Sequence, residues 1–436
     1  MRLGRYPIYL PNNIEWLPVL PDAWQHIRAR FVLAVNPSSA KQRELHGLAE
    51  VSFVPMEAVG TYGGLSLDHS KLLDEIGSGY TEFEDGDVVV AKITPCFENG
   101  KGALADGLVN GVAFGTTELH VLRVGKRLDR RFLFYLTMAH TFRALGESEM
   151  YGAGGQKRVP PEFVKDFRVP LPPLNDQRGI VRFLDTQTAG IDTLMAKKRD
   201  LIDKLKERRS ALIARTVTRG LPPTVAKVVG MAANPKMKDS GVEWLGDVPT
   251  HWTVKQLKWA IMFQRGHDLP SERREEGSVP LVTSAGVSAT HNVAAAKGPG
   301  IVTGRYGTIG RFHLVNEDYW PLNTTLYSID LYGNSPSFLC YMLEHLSPLV
   351  VLHSVKYAVP GVDRNDLHPT RVALPSVVEQ HAIAAFLDRE TLRLDKLAMK
   401  VEAAIALLTE YRQALITSAV TGKIDVRQWQ DDKKAA

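Results

Sequence analysis

The acidic, basic and nucleophilic side chains of this 436-residue chain do not fall into the spacings that metal, phosphate or acyl chemistry requires. A metal-dependent nuclease of the common restriction type needs an acidic residue two places before a lysine. Residues 1–430 hold no Asp-x-Lys or Glu-x-Lys, and the spacing arises only in the charged run Asp431-Asp-Lys-Lys434. An amino-methyltransferase needs Asn or Asp followed by Pro-Pro and an aromatic residue, whereas Asn36-Pro37 continues as Ser-Ser and Asn234-Pro235 as Lys-Met. A Gly-x-x-x-x-Gly-Lys phosphate loop, a His-Glu-x-x-His zinc motif and a Gly-x-Ser-x-Gly nucleophile elbow are all missing. The runs Gly152-x-Gly154-Gly155 and Gly304-x-x-Gly307-x-x-Gly310 match no cofactor fingerprint and read as tight turns. Thirteen histidines lack metal-ligand spacing, and Cys96 and Cys340 form no Cys-x-x-Cys pair. A reducing compartment and no metal site are therefore expected.

The ordering principle is instead a duplication. Leu171–Leu221 aligns without a gap with Leu374–Ile424 at a constant offset of 203 (374 − 171). The copies share Leu-Pro at 171 and 374, Gln177 and Gln380, Phe-Leu-Asp at 183 and 386, Asp192 and Asp395, Arg209 and Arg412, and Ala-Leu-Ile at 211 and 414. Glu15-Trp16-Leu17, Pro21 and Trp24 recur as Glu243-Trp244-Leu245, Pro249 and Trp252. Phe132-Leu133-x-Tyr135 recurs as Phe338-Leu339-x-Tyr341, and Thr116-Thr117 is matched to Thr324-Thr325. Residues 25–160 and 253–360 otherwise resist alignment, so the chain reads as frame, variable insert, frame, variable insert. Two such repeats are too few for a solenoid and imply approximate two-fold symmetry within one chain.

Each frame segment predicts a long helix. Ser376-x-x-Glu379 fits a capping box, with Asn175 and Asp176 as looser N-terminal residues in the first copy. A seven-residue step runs through Leu184, Ile191, Lys198, Leu205 and Leu212, flanked by Leu194 and Leu201. The second copy repeats it through Leu387, Leu394, Val401, Leu408 and Leu415, flanked by Leu397. That period predicts a coiled-coil seam, with an antiparallel pairing of two rods on the order of 65 Å long at about 1.5 Å per residue. Two long helices buried separately are the alternative. The inserts predict compact mixed globules, with strand-like runs at Glu84–Lys92 and Gly300–Arg305 and helices at Arg130–His140 and Pro336–Leu346. Trp16, Trp24, Trp244 and Trp252 read as packing anchors. The fold class expected is α+β: two mixed α/β domains, separated by two long helices that form an antiparallel coiled coil.

A net charge of +5 and a pI near 9.0 lean toward a polyanion without deciding the matter. The N-terminal stretch lacks the apolar core of a signal peptide, and no run of about 20 apolar residues follows, so a cytoplasmic protein with no membrane partner is expected.

The order Leu-Pro-Pro-Leu-x-Asp-Gln, Ile-x-x-Phe-Leu-Asp and a long helix, repeated as Leu-Pro-x-x-x-Glu-Gln-x-x-Ile-x-x-Phe-Leu-Asp, resembles the specificity subunits of type I restriction-modification systems, the HsdS family. The Trp-Leu-x-x-x-Pro-x-x-Trp entry to each half is similar to the same family, and the resemblance covers essentially the whole chain. It implies a first target-recognition domain at 1–170, a helical spacer at 171–221, a linker at 222–241, a second target-recognition domain at 242–373, and a second helical spacer with a tail at 374–436. It also implies that each domain reads one half of a bipartite double-stranded DNA target. Two methyltransferase subunits, which carry S-adenosylmethionine, would dock on the helices and adjoining surfaces. Restriction and translocase subunits can join, while this chain binds no cofactor and performs no chemistry.

Base edges are read by donors and acceptors placed in a groove, while phosphate contacts position the protein. In the first insert the loop following a strand offers Lys92, Thr94, Asn99 and Lys101, and a later loop adds Tyr151, Gln156, Lys157 and Arg158. In the second, Arg305, Tyr306, Thr308 and Arg311 take the corresponding place, joined by Ser354, Lys356 and Tyr357. For each of these an ordinary solvated loop role stays open beside DNA contact. The basic run from Lys197 to Arg209 reads as a solvated face that can also meet spacer phosphates. Two other classes stay open, an enzyme of unfamiliar chemistry and a coiled-coil scaffold that never meets DNA. If the rods act as a ruler, shortening both by matched heptads changes the gap between the recognised halves and leaves their identities alone. Mapping of methylated sites checks this, and an unchanged gap contradicts it.

Overall fold

The computed structural model describes residues 4–354 and 360–429. Two helices dominate it, Leu174–Arg219 and Val377–Val420, hereafter the first and second rods. The chain divides into two compact units, Met1–Lys198 with Ala403–Ala436, and Arg199–Glu402. Each unit holds one insert and one end of each rod.

The rods pair antiparallel through a heptad seam. Along the first rod the inward positions are Leu184, Thr188, Ile191, Met195, Lys198, Ile202, Leu205, Arg209, Leu212 and Thr216, alternately four and three residues apart, each buried or half-buried. The second rod repeats them through Leu387, Thr391, Leu394, Ala398, Val401, Ile405, Leu408, Arg412, Leu415 and Ala419. The step of seven therefore stands as expected, but its flank does not. Leu194, Leu201 and Leu397 are 44%, 41% and 44% exposed. The step from each first seam position to the second is four residues rather than three, which turns Met195, Ile202 and Ala398 inward instead. In the first unit Asp192 faces Arg412, with Nε to Oδ1 at 2.9 Å, and Thr409 Oγ1 donates to Met195 Sδ at 3.6 Å. In the second unit Arg209 Nε faces Asp395 Oδ1 at 3.3 Å, the same pairing by the repeat.

The shared glutamines explain the frame motif. Gln177 is fully buried; its Oε1 accepts from Asp129 N at 2.7 Å, and its Nε2 donates to the carbonyls of Pro172 at 2.8 Å and Arg127 at 3.0 Å. Asp129 caps helix Arg130–Met138 by accepting from the amides of Arg131 and Phe132. Gln380 does the same in the second unit, accepting from Ser335 N at 2.8 Å and donating to Pro375 O at 3.1 Å and Asn334 Oδ1 at 2.8 Å. Helix Pro336–Ser354 starts at that point. One amide side chain thus joins the start of a rod to the start of an insert helix. The two repeated tyrosines complete the join: Tyr135 OH donates to Asp185 at 2.7 Å, and Tyr341 OH to Asp388 at 2.8 Å.

The inserts hang from matching antiparallel pairs of strands, Gln25–Arg28 with Arg168–Leu171 and Thr253–Gln256 with Arg371–Leu374. In the first insert one sheet runs Leu33–Val35, Leu119–Val124, Val88–Ala91, Gly102–Leu104, and a second holds Ser70–Leu72, Glu50–Val54, Val112–Gly115 and Thr81–Glu84. The second insert repeats the first of these as Met262–Arg265, Thr325–Asp330, Gly300–Gly304, Phe312–Val315, beside a smaller three-stranded sheet. The architecture is α+β with an internal two-fold repeat.

Three local readings are refined. Leu119 pairs with Ala91, and Thr325 with Gly304, so Glu118, not Thr116, is the counterpart of Thr324. Ser376 Oγ does accept from Glu379 N at 3.3 Å. The Glu379 carboxylate, however, turns to Trp252 Nε1 at 3.2 Å and His251 Nε2 at 2.9 Å, so only half of the capping box forms. The stretch 222–241 folds as a short helix, Pro223–Val228, and a strand, Met237–Asp239, that pairs with Asp247–Pro249. Burial of Leu221 and Ala226 holds it down. Trp24 and Trp252 are buried as anchors.

Removing a frame glutamine orphans one amide and two acceptors in a dry place. Gln177→Leu and Gln380→Leu should each destabilise their own unit by about 2–4 kcal/mol. Amide exchange should rise in that unit and not in the other, and equal exchange in both contradicts the assignment.

Candidate nucleic-acid interface

The first insert brings its two candidate loops together. Residues 92–101 leave the end of strand Val88–Ala91, and residues 151–158 return alongside, with bridges from Ile93 and Tyr151 to Arg158. Thr94 N donates to Lys157 O at 2.9 Å, and Val159 N to Lys92 O at 2.8 Å. Within this pair the side chains have unequal freedom. Asn99, Gln156 and Lys157 are exposed, and Tyr151 is 65% exposed. Thr94 Oγ1 donates to Glu98 at 2.9 Å, and Lys101 Nζ to Met56 O at 2.7 Å. Arg158 forms a fork on Glu118, with Nη2 to Oε1 at 2.7 Å and Nε to Oε2 at 2.9 Å. That bond holds the Glu118 carboxyl below the usual carboxylate range, with the Arg158 and Lys92 charges adding to it. Lys92 is half-buried at the foot of the loop.

The second insert repeats the geometry with different residues. Arg305 follows strand Gly300–Gly304, as Lys92 follows Val88–Ala91. Its carbonyl accepts from Val362 N at 2.9 Å, matching Lys92 and Val159, and Tyr306 bridges Gly361 as Ile93 bridges Arg158. Arg305 N donates to Thr324 O at 2.8 Å, where Lys92 N donates to Glu118 O at 2.9 Å. The Arg305 guanidinium stands 4.9 Å from the centre of the Tyr306 ring, and Tyr306 is partly exposed. Arg311 is exposed and Thr308 half-buried. A side chain at Gly361 would meet Tyr306 Cε1 at 2.7 Å, so glycine is what lets the returning strand close on the loop. Ser354 is buried and its hydroxyl donates to Val351 O at 2.7 Å, which spends it inside its own helix. Lys356 and Tyr357 lie outside the described residues.

Two buried groups that position the first pair of loops escape the sequence reading. Arg143, on helix His140–Ser148, donates through Nε to Thr137 O at 2.7 Å and through Nη1 to Phe97 O at 2.9 Å, under the Phe97 ring at 4.7 Å. Burial lowers its pKa, yet the guanidinium stays charged. Gly146 makes room for that ring, since a Cβ there would stand 2.4 Å from Phe97 Cζ. His120 Nε2 lies 2.9 Å from Val159 O, and its Nδ1 lies 3.3 Å from Asn36 Nδ2. A carbonyl can only accept, so Nε2 carries the hydrogen, and the Asn36 amide nitrogen donates to Nδ1, which leaves the ring neutral. In the sequence these are a single arginine and a single histidine without motif. Burial was the missing signal.

Burial is also the main cause that holds the His120 pKa below its ordinary value. The unfolded chain then takes up the proton first. Stability of the first unit should therefore be full above about pH 6.5 and fall as pH drops below it, levelling only below the folded-state pKa. Measured as unfolding midpoints against pH, His120→Phe should flatten this loss. An unchanged slope contradicts it.

Comparison with known proteins agrees with this geometry. Residues 78–204 match the family model described as the type I restriction modification DNA specificity domain. The chain is 40% identical over 164 residues to the EcoEI type I restriction enzyme specificity subunit of Escherichia coli, covering 37% of this chain and 27% of that one. It is likewise 40% identical over 167 residues to the EcoAI specificity subunit of Escherichia coli, covering 38% and 28%. The matched stretches span little more than a quarter of those relatives. A solved chain from a study of complex assembly and conformational transition in the type I restriction-modification system shares the fold, with a TM-score of 0.66 at 19% identity, covering 92% of this chain and 98% of that one. Residues 78–204 thus match the type I restriction modification DNA specificity domain, and the chain is similar over part of its length to specificity subunits of type I restriction enzymes.

Proposed function

We propose that each insert reads one half of a bipartite double-stranded DNA target, and that the chain itself performs no chemistry. The observation that carries this reading is the matched placement of two unalike loops. In each insert a central strand ends in a basic residue, Lys92 or Arg305, whose carbonyl takes the amide of the returning segment, Val159 or Val362. The frame is constant while the presented side chains differ, which is what a protein needs when it reads two different half-sequences from one scaffold. Exposed Asn99, Gln156 and Lys157 in the first insert, and Arg311 with partly exposed Tyr306 in the second, supply donors and acceptors for base edges and phosphates. Arg158 and Lys101 are spent on protein partners and act as supports.

Catalysis then belongs to partners. Two methyltransferase subunits would bring S-adenosylmethionine and dock on the frame surfaces, and restriction–translocase subunits would join that assembly. No group of metal-ligating side chains occurs among the described residues, and no described helix is long and apolar enough to cross a membrane. The setting that goes with this reading is a complex on DNA in the cytoplasm.

The test is an exchange of residues 25–160 for the corresponding insert of another specificity subunit, followed by sequencing of methylated bases in cells that carry the complete system. One half of the methylated sequence should change and the other stay. A change in both halves, or in neither, contradicts the assignment of one insert to one half.

A further inference from the structure

We propose that Arg412 is a positioning residue for the first insert, reaching from the seam of the second rod to Tyr62 and so fixing the foot of the loop 92–101. The inference rests on the DNA-reading assignment above for its functional consequence, though not for its geometry. Arg412 occupies a seam position and its side chain is 6% exposed. Its Nε and Nη2 hold Asp192 at 2.9 and 3.2 Å. Nη2 also points at Tyr62 O, 3.4 Å away, and the guanidinium carbon stands 5.3 Å from the centre of the Tyr62 ring. An ion pair with Asp192 needs only a cation. The planar fork stacked on a ring is what a lysine cannot reproduce.

Tyr62 is held in a conformation it would not choose. Its φ is +66°, in the left-handed region that disfavours a bulky side chain, and Gly63 and Gly64 follow with φ of +113° and +89°. Such a residue persists only where its surroundings over-determine it. Here the surroundings are Arg412 on one side and the recognition loop on the other. Tyr62 N donates to Gly100 O at 3.2 Å, and Gly102 N donates to Gly60 O at 3.3 Å. Thr61 bridges Lys101, and the Tyr62 ring lies 3.3 Å from where a Gly100 Cβ would stand. The chain of contacts runs from Asp192 through Arg412 and Tyr62 to Gly100. The repeat-related Arg209 makes the same ion pair with Asp395, but its other contact is Glu344, on helix Pro336–Ser354. The ion pair belongs to the frame, while the reach to Tyr62 is particular to the first insert.

The experiment compares the wild-type full chain with Arg412→Lys, assembled with its methyltransferase partners, by amide exchange and by sequencing of methylated bases. Arg412→Lys keeps the charge for Asp192 and loses the fork. Exchange at residues 60–64 and 92–102 should rise at least tenfold while residues 184–195 of the first rod stay protected. Discrimination in the half read by the first insert should fall at least tenfold and the other half stay unchanged. Arg209→Lys should leave the first half untouched. Tyr62→Gly, which removes ring and strain without disturbing the seam, should reproduce the loss if Arg412→Lys fails to fold. Loops that stay protected in the variant that folds overturn the proposal. Faster exchange with an unchanged first half keeps the anchor and removes loop 92–101 from DNA reading. A wild-type system that methylates no split sequence defeats the DNA-reading assignment instead.

Discussion

The Arg412 guanidinium is buried in the seam against the Asp192 carboxylate, and that pairing fixes the register of the two rods. Arg412 meets Asp192 and Arg209 meets Asp395, both from the same heptad position. Sliding the pairing by one heptad would leave the buried Arg412 guanidinium without its partner, at a cost of several kcal/mol, and would also break the more exposed Arg209 pair. Leucine-rich seams tolerate such slips; a polar residue at a matched position forbids them. The other shared contacts of the frame tie each rod to its own insert. The first turns of each rod carry the glutamine that seats an insert helix, and the next turns carry the aspartate that takes the insert tyrosine.

The structure separates what is repeated from what is presented. The repeated residues make contacts that any insert of this topology can use: a helix cap, a tyrosine hydroxyl, a pair of strands. The presented loops share only backbone geometry, in which a basic residue leaves a central strand and a returning segment closes on it. Buried polar groups then hold the exposed tips, His120 through Val159 and Arg143 through Phe97 in the first insert. Precise support beneath variable tips is what lets a site change its target without changing its fold.

Much of this was legible in the sequence, and the gaps have physical causes. The offset of 203 carried the two-fold repeat, the long helices and the seven-residue step, because those features depend on a pattern sustained over many residues. Hydrophobicity favours Leu194 and Leu201 as the flank of the seam, whereas the true flank includes Thr188, Arg209 and Thr216, which look like surface residues. The ion pairing, Arg209 with Asp395 and Arg412 with Asp192, was implicit in residues that both copies share, but sequence offers no way to tell an ion pair in the seam from one on the open face of a rod. The candidate loops were found because strands and turns announce themselves. Which side chains in them are free was hidden: Arg158, Lys101 and Ser354 are spent on Glu118, Met56 and Val351, partners distant in sequence or inside the same helix.

The most direct test of the account is crosslinking on a duplex that carries the methylated sequence mapped for this system. A photoreactive side chain at Lys157 and, separately, one at Arg311 would report where each insert lies. The account predicts that the first crosslinks bases of one half-sequence and the second bases of the other. Both probes reaching the same half, or neither reaching DNA, would contradict it.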